Sequence, residues 1–247
     1  MGKTNIQLVL ERSKVRIGDP IGGYVETDRE VVLKLIISVA SLLPSKAKRV
    51  GPFYSVIMSY VREKRIEKSR SFEFKVPKSA PPTLSTRNFL VRWSLVVGVP
   101  RLGGRVLYPR NEIRIIAVPP LYPKREIKRV DLQSDYAEPG KKFSVIIDRR
   151  LEDPLAEVLV EEWYKDPEKE IIEVYDLDAK TEFKELGKRT LLVIDFPPLT
   201  GRTEDYIFYP LTFTTKYGSI EFGIRTKIEV SSGNLTSPLV IPFQITL

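Results

Sequence analysis

Neither cysteine nor histidine occurs anywhere in the 247 residues of this chain. The first absence excludes disulfide frameworks, thiolate metal sites and cysteine nucleophiles. The second removes the commonest general base, the usual activator of a serine nucleophile and the commonest metal ligand. Only carboxylates, lysine and tyrosine are left for chemistry, so the expectation is a protein that is not an enzyme. Long apolar runs are missing too: none approaches the ~20 residues of a membrane-spanning helix. The opening MGKTNIQLVLERSK has no apolar secretory core, and the chain is expected to be soluble and cytoplasmic. Abundant charge, 19 prolines and only two methionines fit a thermophile's protein.

What is present is globular in composition, with 42% hydrophobic and 29% charged residues. The sequence AVPPLYPKRE carries three prolines near mid-chain and favours an extended connector. Counted either side of Pro120, the chain has 22 Lys+Arg against 9 Asp+Glu before it and 18 against 23 after it. The formal +8 therefore hides a basic half at +13 and an acidic half at −5. The expected organisation is a first domain over 1–118, a connector over 119–125 and a second domain over 126–247.

Both halves alternate apolar and polar residues with the period of two that marks half-buried strands. In 31–39 every odd position is apolar. Phe72, Phe74 and Val76 alternate with polar neighbours, and Phe89, Val91, Trp93, Leu95 and Val97 do the same. In the second half Phe143, Val145 and Ile147 alternate, as do Ile220, Phe222, Ile224, Ile228 and Val230, with Thr226 a polar break. The glycine-rich IGDPIGGYVET (17–27) fits no phosphate-cradle spacing and reads as a sheet corner, with Gly22 or Gly23 taking positive φ. One segment has two readings. Asp153-Pro154 with Glu157 is a helix-start signal, whereas AEVLVEEWY alternates as a strand, the reading favoured here. The halves also echo each other: Pro20 with Pro139, Pro81-Pro82-Thr83 with Pro197-Pro198-Leu199-Thr200, and Phe89 with Tyr206. The expected fold class is all-β, two tandem antiparallel sandwiches of immunoglobulin-like type arising from one doubled unit.

Candidate chemistry is thin. Glu161 and Glu162 are adjacent and would face opposite sides of a strand. Asp176 and Asp178 lack the glycine and further acids of a calcium loop. Asp195 before Phe196-Pro197-Pro198 reads as a turn residue, and Asn234-Leu235-Thr236 matches a glycosylation sequon of no consequence in a cytoplasmic protein. No catalytic, metal or cofactor residues are assigned. The most basic region holds Lys46, Lys48, Arg49, Arg62, Lys64, Arg65, Lys68 and Arg70. They read either as two solvated hairpin ends that protect exposed strands from mispairing or as a patch for an anionic partner. Phe53, Tyr54 and Tyr60 lie among them and are expected to fill the core under the hairpin rather than to stack on bases.

The order of motifs in the first half resembles the N-terminal domain of the arrestin-like family. A strand at Ile6 to Leu10 is followed by the corner Gly18-Asp19-Pro20-Ile21-Gly22-Gly23 and a buried strand at Val31 to Val39. Then come Phe74-Lys75-Val76-Pro77 with Pro81-Pro82-Thr83, and an aromatic-bearing strand at Val91-Arg92-Trp93-Ser94-Leu95. The second half is similar only through YAEPGKKFSV and the strands after it. The buried charged cluster and receptor-reading loops of the visual and β-arrestins have no counterpart, so the resemblance points to compact microbial or archaeal arrestin-like proteins and the arrestin-fold retromer subunit. It implies a non-enzymatic adaptor or scaffold that binds protein partners through sheet edges and concave surfaces. The basic first half offers an alternative, a binder of nucleic acid or anionic lipid, and the opposite charges of the halves allow a homo-oligomer. A carbohydrate-binding or histidine-free hydrolase module would need paired carboxylates that the sequence does not assemble.

Overall fold

The computed structural model describes residues 6–48, 53–101, 105–108, 112–120, 127–134, 136–199, 201 and 206–247. The chain is almost entirely β and divides into two compact units, residues 1–120 with 202–207 and residues 121–201 with 208–247. Of the connector expected at 119–125, residues 121–125 lie outside the described residues. Among the described residues no helix is long and apolar enough to cross a membrane.

In chain order the first unit contains β1 (Ile6–Leu10), β2 (Lys14–Arg16), β3 (Ile21–Thr27), β4 (Val31–Ser41), α1 (Leu43–Lys48), β5 (Ser55–Ile66), β6 (Arg70–Phe74), β7 (Leu84–Ser85), β8 (Phe89–Pro100), β9 (Val106–Leu107) and β10 (Glu112–Val118). One sheet has the order β1-β3-β6; the other runs β2-β10-β8-β4-β5, with β7 and β9 also paired to β8. Pairing is antiparallel except that β2 lies parallel to β10, with Lys14 opposite Ile116.

Alternation decides which side chains meet. Leu33, Leu35, Ile37 and Val39 of β4 and Phe89, Val91 and Leu95 of β8 have no exposed surface. Facing them are Ile21 and Val25 of β3 and Phe72 and Phe74 of β6, all buried. Each such side chain contributes roughly 1.5–3 kcal/mol through removal from water. The Pro81-Pro82-Thr83 stretch clasps this core. Trp93 donates its indole N–H to the Pro81 carbonyl at 2.9 Å. The Thr83 hydroxyl donates to the Ile115 carbonyl at 3.0 Å and accepts from the Ala117 N–H at 3.0 Å.

The glycine corner differs from expectation. Gly18 takes the positive φ, at 97°, in a turn closed by the Asp19 N–H on the Arg16 carbonyl. Gly22 and Gly23 lie in β3 instead. A Cβ on Gly23 would collide with the Val9 carbonyl and sit 2.7 Å from the Phe72 ring, so close approach of neighbouring strands is what demands glycine there.

The second unit comprises β11 (Val130–Leu132), β12 (Lys142–Ile147), β13 (Leu155–Lys165), β14 (Glu170–Asp176), β15 (Lys180–Leu186), β16 (Arg189–Asp195), β17 (Phe213–Tyr217), β18 (Ile220–Ser231) and β19 (Leu239–Phe243). Its sheets are β11-β12-β16-β15 and β14-β13-β18-β17, with β19 beside β18. Phe143, Phe196 and Phe243 form a ring cluster with centroids 5.5 to 6.2 Å apart, joining the two sheets. AEVLVEEWY lies in β13: Asp153 has φ 45°, which breaks any helix start, and the chain then runs extended along β18. Thr226, the polar break in β18, is buried yet satisfied, donating to the Phe243 carbonyl at 2.7 Å.

The units share a plan. In each, a long strand (β4, β13) runs between an edge strand (β5, β14) and a second long strand (β8, β18). In each, an early segment also pairs in parallel with a late one: β2 with β10, and Ala137 with Ile245. Pro20 and Pro139 both precede the equivalent strands β3 and β12. Phe89 and Tyr206 are not equivalent, because Phe89 opens β8 whereas its counterpart β18 begins at Ile220.

Candidate partner-binding edge

The basic candidates whose side chains are described, Lys46 against Arg62, Lys64, Arg65, Lys68 and Arg70, do not form one patch. Lys46 lies on α1, whose N-terminus is capped by the Ser41 hydroxyl accepting from the Leu43 N–H at 3.2 Å. Its ammonium donates to the buried Asn88 amide oxygen at 2.8 Å, which ties α1 to the start of β8. Lys48 ends the same helix. Arg49 lies outside the described residues. Arg62, Lys64, Arg65, Lys68 and Arg70 sit toward the other end of the β4–β5 ladder. The 11 residues of β4 hold the two ends apart by about 33 Å. Phe53 and Tyr54, just before β5, are 52% and 41% exposed, so they do not fill the core.

The second cluster marks the open side of the first sandwich. Among the described residues β5 pairs only with β4, and β6 only with β3, so each is the last strand of its sheet. The chain passes from one edge to the other through Glu67, Lys68 and Ser69, and the two edges flank a trough. It comprises a hollow of about 320 Å³ that includes Gly22, Lys64, Arg65, Arg70 and Glu73. A neighbouring hollow of about 490 Å³ includes Tyr60, Arg62, Lys64, Phe74 and Lys75. Lys64 and Glu73 belong to both.

Register shows which way the charges point. Tyr60, Arg62 and Lys64 stand opposite Ile37, Leu35 and Leu33, three residues with no exposed surface, and directly opposite residues share a face. Arg62 and Lys64 therefore occupy the interior-facing positions of an edge strand, at the mouth of the core. Their stems lie along apolar surface while their charges reach water. The Arg62 guanidinium lies 5.2 Å from the Tyr60 ring centre and its Nε donates to the Tyr60 hydroxyl at 2.7 Å. The Lys64 ammonium lies 5.8 Å from the ring centre of buried Phe74.

The trough has an electrostatic surplus. Arg62, Lys64, Arg65, Arg70 and Lys75 line it against Glu11, Glu63 and Glu73. Glu63 is already held from outside by Lys34 at 2.6 Å. That hydrogen bond, seconded by one with Tyr108, raises the Lys34 pKa above the ordinary lysine value. Arg65 reaches Glu30 at 3.2 Å. Four cations then face two carboxylates. Lys75 and Phe74 were missed as site residues in the sequence because each reads as an ordinary member of an alternating strand; Tyr60, expected to fill the core under the hairpin, is half-buried at the trough.

Elsewhere the chemistry is quiet. Glu161 and Glu162 do face opposite sides of β13: Glu161 pairs with Lys227 at 2.7 Å, while Glu162 is fully buried and accepts from the Tyr175 hydroxyl at 2.7 Å. The Asp176 carboxylate accepts from the Asp178 N–H at 2.6 Å and shapes the turn between β14 and β15. Among the described residues no group of three or more acidic side chains could hold a metal ion. The fold and this edge define a two-unit, all-β protein with one charged, open sandwich side. No family model matches the chain, and no curated protein matches it significantly.

Proposed function

We propose that this protein is a non-enzymatic, cytoplasmic adaptor of arrestin-like type that binds protein partners through its sheet edges. The observation that carries this reading is the pair of unpaired edges, β5 and β6, facing one another across a trough. An open edge presents a row of backbone donors and acceptors, the template on which an extended segment of another protein adds as a strand. The strands that alternate apolar and polar residues bury their apolar side chains in the cores of the two units, and at β5 the interior-facing positions of the edge carry charge instead. A second reading, binding of nucleic acid or anionic membrane, is favoured by the exposed cations Arg62, Lys64, Lys68 and Arg70.

Salt separates the two. Backbone pairing at an edge is only weakly salt-sensitive, whereas binding by phosphate neutralisation falls steeply as salt rises. In an affinity capture from the native organism at low and high salt, one protein retained at both is expected. Recovery of nucleic acid or lipid at low salt alone would replace the adaptor reading with the second.

A further inference from the structure

We propose that the free edge of β5 selects an extended, acidic segment of a partner protein, with carboxylates at alternate positions seated against Arg62 and Lys64. This rests on the adaptor reading and names the partner's chemistry.

The argument starts from where the two cations point. An edge strand with apolar residues on its interior face would accept almost any apolar strand, which is the route to aggregation. β5 carries charges at those positions, opposite Leu35 and Leu33 of β4. A strand that adds to β5 must place its own interior-facing side chains beside Arg62 and Lys64. An apolar side chain there would force two cations away from water without compensation. A carboxylate would meet each cation as a cross-strand opposite-charge pair. The same device that bars indiscriminate pairing thus admits one class of strand. Arg62 and Lys64 are two residues apart, about 6.6 Å along the strand, which is the spacing of alternate side chains in the incoming strand. Between the carboxylates, the incoming strand's outward-facing residue would stand opposite Glu63, which Lys34 already holds at 2.6 Å, and its next outward position opposite Val61, which is 43% exposed.

Other occupants fit less well. A single-stranded nucleic acid needs open aromatic faces for base stacking, but Arg62 lies over Tyr60 and Lys64 over Phe74. It would also leave the backbone groups of β5 unused. A second copy of this chain could offer its own edge strand β14, but the residues of β14 sharing the core-side face are Ile171, Glu173 and Tyr175. That strand supplies one carboxylate where two are needed.

The test uses the full chain and a fluorescein-labelled ten-residue peptide with Glu at every second position and Val or Thr between. Anisotropy titration is expected to show saturable binding, weakened about tenfold when the glutamates become glutamines. The double variant Arg62→Glu, Lys64→Glu should lose the Glu peptide by a similar factor and gain affinity for a Lys counterpart. Both positions are exposed, so the fold should persist, and unchanged tryptophan emission checks this. N-methylation of alternate peptide amides should abolish binding in one of the two registers, the one that blocks pairing. The proposal is overturned if the peptide does not bind, or if binding is indifferent to the double variant or to N-methylation in both registers. It also falls if a thymidine decamer or anionic phosphatidylserine vesicles bind in its place with the same dependence on Arg62 and Lys64, or if the variant instead abolishes self-association in sedimentation. Repeating the cell capture with the double variant separates this site from the broader reading. A protein retained equally by variant and wild type leaves the adaptor standing and removes the β5 site; a wild type that captures no protein removes the adaptor itself.

Discussion

Thr83 provides a quantitative test of how the first sandwich is held. Its hydroxyl bridges two backbone groups of β10, and the residue is fully buried. Valine matches threonine in shape, so Thr83→Val should leave packing intact and remove only the hydroxyl. The Ala117 N–H and Ile115 carbonyl would then lose that partner inside the core, at about 1–3 kcal/mol per unsatisfied group. A loss of about 2–6 kcal/mol follows. Thr83→Ser keeps the hydroxyl and gives up one buried methyl, about 1 kcal/mol. The assay is available in the sequence: the chain has two tryptophans, Trp93 in the first unit and Trp163 in the second. In a Trp163→Phe background, Trp93 emission follows the first unit alone. With a urea slope of about 2 kcal/mol/M, the valine midpoint should fall by about 1–3 M and the serine midpoint by about 0.5 M. If valine proves as stable as serine, the clasp is not what holds β10 against the Pro81–Thr83 segment.

Two further outcomes are expected. Gly23→Ala should cost the first unit about 1–3 kcal/mol by overpacking, because the new methyl meets the Val9 backbone and the buried Phe72 ring; a thermal midpoint unchanged by more than a degree would contradict this. Burial, helped by Asp166, pushes the Tyr164 pKa up to about 12, and burial pushes that of Tyr209 higher still. A folded pKa above the unfolded value means that the stabilisation is complete below about pH 10. It is lost as pH climbs toward 12. Ultraviolet titration at alkaline pH should show these two among the last phenols to ionise, and Tyr164→Phe should flatten the fall in stability over that window.

Much of the architecture was legible because strands that bury one face betray themselves by period two. β4, β8 and β12 bury every residue their alternation marks, and β18 buries all but Ile220, which is half-buried at its start. β5 was harder: Val61-Arg62-Glu63-Lys64-Arg65 has no apolar alternation, so nothing in the sequence says which charges face inward. Only the pairing register with β4 decides it. The positive φ was placed on the wrong glycines because local turn chemistry cannot reveal that Gly23 is pressed between Val9 and Phe72, residues distant in sequence. Lys46 read as part of a surface patch because its partner, Asn88, lies 42 positions away. Phe89 was matched to Tyr206 by spacing alone, and the extra residues between β16 and β18 shift that alignment by more than a strand's length.

The first unit also draws on a late piece of the chain. Ile207, almost wholly buried, accepts a backbone hydrogen bond from Ser85 at 2.9 Å, and residues 202–207 belong with the first unit rather than the second. During synthesis the N-terminal domain must therefore wait, with β7 uncovered, until most of its C-terminal neighbour has left the ribosome. Cutting after Pro120 would yield a fragment missing a native part, and the two domains are bound to a shared timetable of maturation although each has its own core.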